Sequence, residues 1–79
     1  MKIIYTMHAL ERIKSRKISF DLVSRCIDSP DRSIVEGKIN KNIMRINSKV
    51  LVVAFRKEDD MVIVVTAYVS TKIEKYLNP

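Results

Sequence analysis

The chain has 79 residues, which is room for one domain spanning 1–79, and a domain of this size buries only about 60% of its unfolded surface. Fifteen Lys and Arg against nine Asp and Glu leave it at +6 at pH 7. With 47% hydrophobic residues and one Gly it is not a disordered chain, and its charge fits either a solvated, Lys-rich surface or a polyanionic partner.

Lys2-Ile3-Ile4-Tyr5 opens as a short, β-prone edge strand, without the long apolar core of a signal peptide. Thr6 suits a helix N-cap, since its hydroxyl can accept from an unpaired amide of the first turn. From Met7 the period turns helical, with Met7, Ala9, Leu10 and Ile13 on one apolar arc. Glu11, Lys14 and Ser15 face away. His8, Arg12 and Arg16 stand at i, i+4 and i+8, so they line up along one edge of that arc. This helix should end near Lys17.

Ser19 is a good N-cap for a second helix, and Asp21 suits the positive end of its dipole. Phe20, Leu22, Val23, Cys26 and Ile27 make its apolar arc; Cys26, the one cysteine, reads as a small buried hydrophobe. Asp28-Ser29-Pro30-Asp31 stops the helix. Ser33–Glu36 predicts a short strand turned by Gly37, Lys38–Asn42 a polar loop or mobile hairpin tip, and Ile43–Ile46 a second short strand.

The longest apolar stretch, Val50 to Val69, breaks at Arg56-Lys57-Glu58-Asp59-Asp60. Its halves, Val50–Phe55 and Met61–Val69, have strand length and predict an antiparallel hairpin at the centre of a sheet. Ser70-Thr71 then caps a last helical turn carrying Ile73, Tyr76 and Leu77. The expected fold is α+β: two N-terminal helices on a twisted antiparallel sheet of about four strands, with a short C-terminal helix.

His8-Ala9-Leu10-Glu11-Arg12, Arg16-Lys17-Ile18-Ser19, Ser29-Pro30-Asp31 and Ile63-Val64-Val65-Thr66-Ala67-Tyr68 follow one another in an order that resembles the domain-of-unknown-function 4258 family. Its members read His-Ala-x-x-Arg, Arg-Gly-Ile-Ser, Asn-Pro and Val-Val-Thr-x-Tyr. Lys17 stands where the family usually has Gly, and Val69 where a basic residue often follows the Tyr. That family in turn resembles the small-ribonuclease fold of RelE/ParE-type toxins. The resemblance implies an RNA-directed domain, with a metal-free endoribonuclease toxin and an acidic antitoxin-like partner as its fullest form.

Metal-free RNA cleavage needs a base for the 2′-hydroxyl, cations for the phosphoryl oxygens and an acid for the departing 5′-oxygen. His8 is the one imidazole, a group whose ordinary pKa lies near neutrality. Arg12 and Arg16 follow along its stripe, and guanidinium grips phosphate bidentately. Thr66 and Tyr68, two apart on a strand, share a face where Tyr68 can donate a proton or stack on a base. The expectation is that these five converge where the first helix meets the sheet. The plainer alternative has His8 bonding to Thr66 or a backbone carbonyl, Arg12 and Arg16 solvated, and Tyr68 packing.

Lys38, Lys41, Arg45 and Lys49 form a second basic cluster, which with Arg12 and Arg16 would line a groove for an RNA backbone, and Lys72 adds a cation in the tail. A solvated, mobile loop is the alternative. Glu58-Asp59-Asp60 reads as turn charge, and no metal or cofactor is expected. RNA, an acidic protein and a second copy joined at a sheet edge are the partners in view. No membrane partner is expected, because no apolar run nears the roughly 20 residues of a span. The competing class is a non-catalytic module that binds nucleic acid or protein through a basic surface. A cytoplasmic setting suits the single cysteine.

Overall fold

In the computed structural model, which describes residues 2–78, the Thr6 hydroxyl accepts from the Ala9 amide at 3.1 Å and starts helix α1, Met7–Ser15. The Ser19 hydroxyl accepts from the Asp21 amide at 3.1 Å and starts α2, Phe20–Asp28. Both caps answer amides that a first helical turn leaves without partners. Between them α1 ends in a Schellman motif. The Lys17 amide donates to the Lys14 carbonyl at 3.2 Å and the Ile18 amide to the Ile13 carbonyl at 2.9 Å. Lys17 takes a φ of +54° to close it, the left-handed region that glycine enters most easily.

Five strands form one sheet: β1 Lys2–Tyr5, β2 Arg32–Glu36, β3 Ile39–Ile46, β4 Lys49–Glu58 and β5 Met61–Ser70, in the order β1-β5-β4-β3-β2. The β4–β5 hairpin is central, as its valine-rich halves predict, and turns at Asp59-Asp60. Two expectations change. The sheet is mixed, because β1 pairs parallel with β5 from Lys2↔Met61 to Tyr5↔Val64. Ile39–Asn42, expected as loop, belongs to β3, which bonds to β2 on one side and β4 on the other. Two ladders hold the backbone there whatever the polarity of Asn40, Lys41 and Asn42.

The sheet has two covered faces. On one, α1 and α2 bury Ala9, Ile13, Val23 and Cys26 against Leu51, Val53, Phe55, Val62 and Val64. Ala9 is fully buried, so a small side chain lets α1 sit close to β5. Met7, placed by its spacing on the apolar arc, is instead 74% exposed at the first position of the helix. On the other face a third helix, α3 Ile73–Leu77, lays Ile73, Tyr76 and Leu77 on Ile43, Val50 and Val52. Its N-cap is Lys72, without a side-chain cap bond. The Ser70 hydroxyl accepts from the Lys72 amide at 3.1 Å rather than capping the helix itself.

Among the described residues no helix is long and apolar enough to cross a membrane. The outer edges of β1 and β2 close the order of the sheet, and Val35 on β2 is 67% exposed.

Candidate functional site

Helix α1 brings His8, Arg12 and Arg16 to one exposed stripe, about 12 Å long at the rise of an α-helix. The ion pairs among the described residues are Lys41–Glu36 at 2.7 Å and Arg56–Glu58 at 3.0 Å, so neither stripe arginine has a carboxylate partner. His8 does not hold the helix to the sheet. Thr6 does: its hydroxyl donates to the Val65 carbonyl and its amide to the Val64 carbonyl, both at 3.1 Å. That anchor falls at a bulge in β5, where pairing steps from Ala54↔Thr66 to Phe55↔Val64.

Thr66 and Tyr68 do share a face, but it is the face away from α1. Tyr68 packs with Val50 and Val52 under α3, and Thr66 pairs with Ala54, which alternates with the helix-facing Val53 and Phe55. The sheet therefore stands between the stripe and the tyrosine, and the five residues do not meet at one seam. A two-residue period fixes this: Val64 and Ala67 point under α1, and the bulge at Val65 hands Thr66 and Tyr68 to the opposite side. The Tyr68 hydroxyl lies 3.3 Å from that of Tyr76. Burial first, then the neighbouring Tyr76, push the Tyr68 phenol up to about 12. It holds its proton rather than offering it.

The second basic cluster is also dispersed. Lys38 sits in the β2–β3 turn and Lys49 beyond the far end of β3, a separation of about 25 Å for an extended strand. Lys41 is paired with Glu36, and the Arg45 guanidinium donates to the Asn47 carbonyl at 3.0 Å. Arg45 faces the α3 side beside Val50, whereas Lys49 faces the helix side beside Ile46. Lys72 is exposed at the start of α3.

What the fold does assemble is a cleft of about 300 Å³ where the end of α1 meets the β3–β4 turn. Arg16, Lys17 and Lys49 line it with Asn47 and Ser48, over aliphatic side chains that include Ile18 and Val69. No acidic residue lines it. One residue from each basic group, Arg16 and Lys49, thus comes together, though the sequence placed them in separate elements. Lys17 was not expected here. Its signal was a lysine standing where the helix end asks for glycine.

The model of the family described as Domain of unknown function (DUF4258) matches residues 5–69. The chain belongs to that family. The match runs from the end of β1 through Val69 and leaves α3 outside it. No curated protein and no solved structure matches the chain. Within this DUF4258 chain two of the segments that carried the resemblance have structural work. The segment Arg16–Ser19 makes the Schellman turn and the cap of α2. Beyond the Ser29-Pro30 break, the Asp31 carboxylate accepts from the Arg45 amide at 2.7 Å, which ties the end of α2 to β3.

Proposed function

We propose that this chain is an RNA-directed domain of the RelE/ParE-like kind, which grips the phosphate backbone of single-stranded RNA along α1. The observation that carries the proposal is the exposure of Arg12 on α1 and of Arg16 at its C-cap, neither with a carboxylate partner among the described residues. Guanidinium on phosphate is a strong, charge-assisted contact that supplies affinity without choosing sequence. The net charge of +6 adds long-range attraction for the same polyanion.

Binding without cleavage is the form best supported, because the tyrosine that would protonate the leaving oxygen lies across the sheet from His8. An endoribonuclease toxin remains a second form. It is favoured by the exposure of His8 at the start of the stripe, which leaves the imidazole open to a 2′-hydroxyl. Incubation with mixed RNA in chelator separates the two. Intact RNA, with a salt-dependent shift in mobility, is expected. RNA cut by the wild-type chain and spared by His8→Ala would establish the cleaving form, and no binding at all would remove both.

A further inference from the structure

Strand β2 is an outer edge of the sheet that the fold leaves open. It pairs with β3 in unbroken register from Arg32↔Ile43 to Glu36↔Ile39, and no strand among the described residues bonds to its other side. Sheet edges are ordinarily blunted by a proline, a bulge, a lysine or a covering loop, because their free amides and carbonyls template another strand. Arg32-Ser33-Ile34-Val35-Glu36 contains no proline and no lysine, and its pairing with β3 has no bulge. Val35 stands 67% exposed on it. Side chains alternate along the strand. Arg32, Ile34 and Glu36 face the α3 side, where the Arg32 guanidinium donates to the Tyr76 carbonyl at 2.7 Å and Ile34 packs on the cluster around Ile43. Ser33 and Val35 face the α2 side, where the Ser33 hydroxyl meets Asn42.

We infer that a second copy of this chain adds to this edge, β2 against β2, antiparallel about a two-fold axis through Ile34. In that register Arg32 opposes Glu36 of the second copy and Glu36 opposes its Arg32. Each Val35 faces a Ser33 and comes within diagonal reach of the other Val35. Both ions have capacity to spare. Glu36 meets Lys41 through one oxygen, at 2.7 Å, and Arg32 has given one nitrogen to α3. The strand itself is neutral, one Arg against one Glu on a chain of net charge +6, and this register sets no like charges opposite each other. The other edge lacks this match, since Lys2-Ile3-Ile4-Tyr5 has no acid to oppose its lysine. A single strand pair is small beside the roughly 1,200 Å² of stable complexes, so the dimer is weak and concentration-dependent. It leaves α1 free, because β4 and β3 lie between β2 and the strand that α1 covers. The pairing therefore does not rest on the RNA-binding role proposed above.

The test is sedimentation velocity of the wild-type chain from about 10 μM to about 1 mM at fixed salt, which is expected to move from monomer toward dimer. Val35→Lys, at an exposed position, should raise the dissociation constant about tenfold, and Ile4→Lys on the β1 edge should leave it unchanged. Arg32→Glu and Glu36→Lys should each weaken the dimer about tenfold alone, since each sets like charges opposite each other. An equimolar mixture of those two variants should associate about as tightly as the wild type, because every position 32 then faces an opposite charge at position 36. Loosening of α3 by the loss of Arg32 could not produce that recovery. A wild-type chain that stays monomeric throughout overturns the inference. So does a dimer that Ile4→Lys disrupts and Val35→Lys spares, which would mark β1 as the edge. A mixture no tighter than its components overturns it as well, because Arg32 and Glu36 would then not face each other.

Discussion

The side-chain amide of Asn42 donates to the main-chain carbonyl of Cys26 at 3.1 Å, joining the end of α2 to the middle of the sheet. The same nitrogen reaches the Ile27 carbonyl at 3.2 Å, and the Ser33 hydroxyl donates to the Asn42 oxygen at 2.8 Å. Asn42 is the one buried polar residue among those described, 5% exposed. Both helix carbonyls belong to the last turn, which has no amide of its own to offer them. Asn42→Ala is therefore expected to cost about 2–3 kcal/mol, read as a lowered urea midpoint. A midpoint equal to that of the wild type would show that water serves the two carbonyls as well.

Lys17→Gly should stabilise the fold. The Schellman turn holds residue 17 at a φ of +54°, where a Cβ costs about 1–2 kcal/mol that glycine avoids, less the greater freedom of glycine when unfolded. A net gain of up to about 1 kcal/mol is expected in thermal or urea unfolding. A less stable Lys17→Gly variant would mean that the lysine stem packs usefully on the cleft.

Raised pH should loosen the chain through two buried groups that hold their protons more tightly when folded. Burial pushes the Cys26 thiol from 9.0 up to about 12, and burial with the Tyr76 contact pushes the Tyr68 phenol from 10.0 to about 12. Both groups bind their proton more tightly folded than unfolded. Their contribution is complete below pH 9.0 for the thiol and 10.0 for the phenol, and is lost as pH rises toward about 12. Cys26→Ala should shrink the loss that begins near pH 9.0, and Tyr68→Phe the part that begins near 10.0. Unfolding midpoints across that window check both. An unchanged alkaline slope in the two variants would contradict the assignment.

Much of the fold was legible because single residues decided it. Thr6 and Ser19 announce their helices, and the valine runs on either side of the acidic turn announce the central hairpin. Asn42 was not legible. Its polarity reads as loop, and only the pairing of β3 on both sides makes it a buried brace. The parallel partnership of β1 with β5 is likewise a long-range choice that no local pattern encodes. The candidate site was half legible. The i, i+4 spacing put His8, Arg12 and Arg16 on one stripe. Which side of the sheet Tyr68 takes depends on the β5 bulge at Val65, which no residue in the run marks.

The RNA-binding role of α1 is tested most directly by fluorescence anisotropy of a labelled single-stranded RNA at several salt concentrations. Wild type is compared with the Arg12→Ala/Arg16→Ala double variant, both positions being exposed. Each lost phosphate contact should flatten the slope of log affinity against log salt by about 0.7, so the double variant should lose about 1.4 and bind more weakly at low salt. A double variant with the slope and affinity of the wild type would contradict the account.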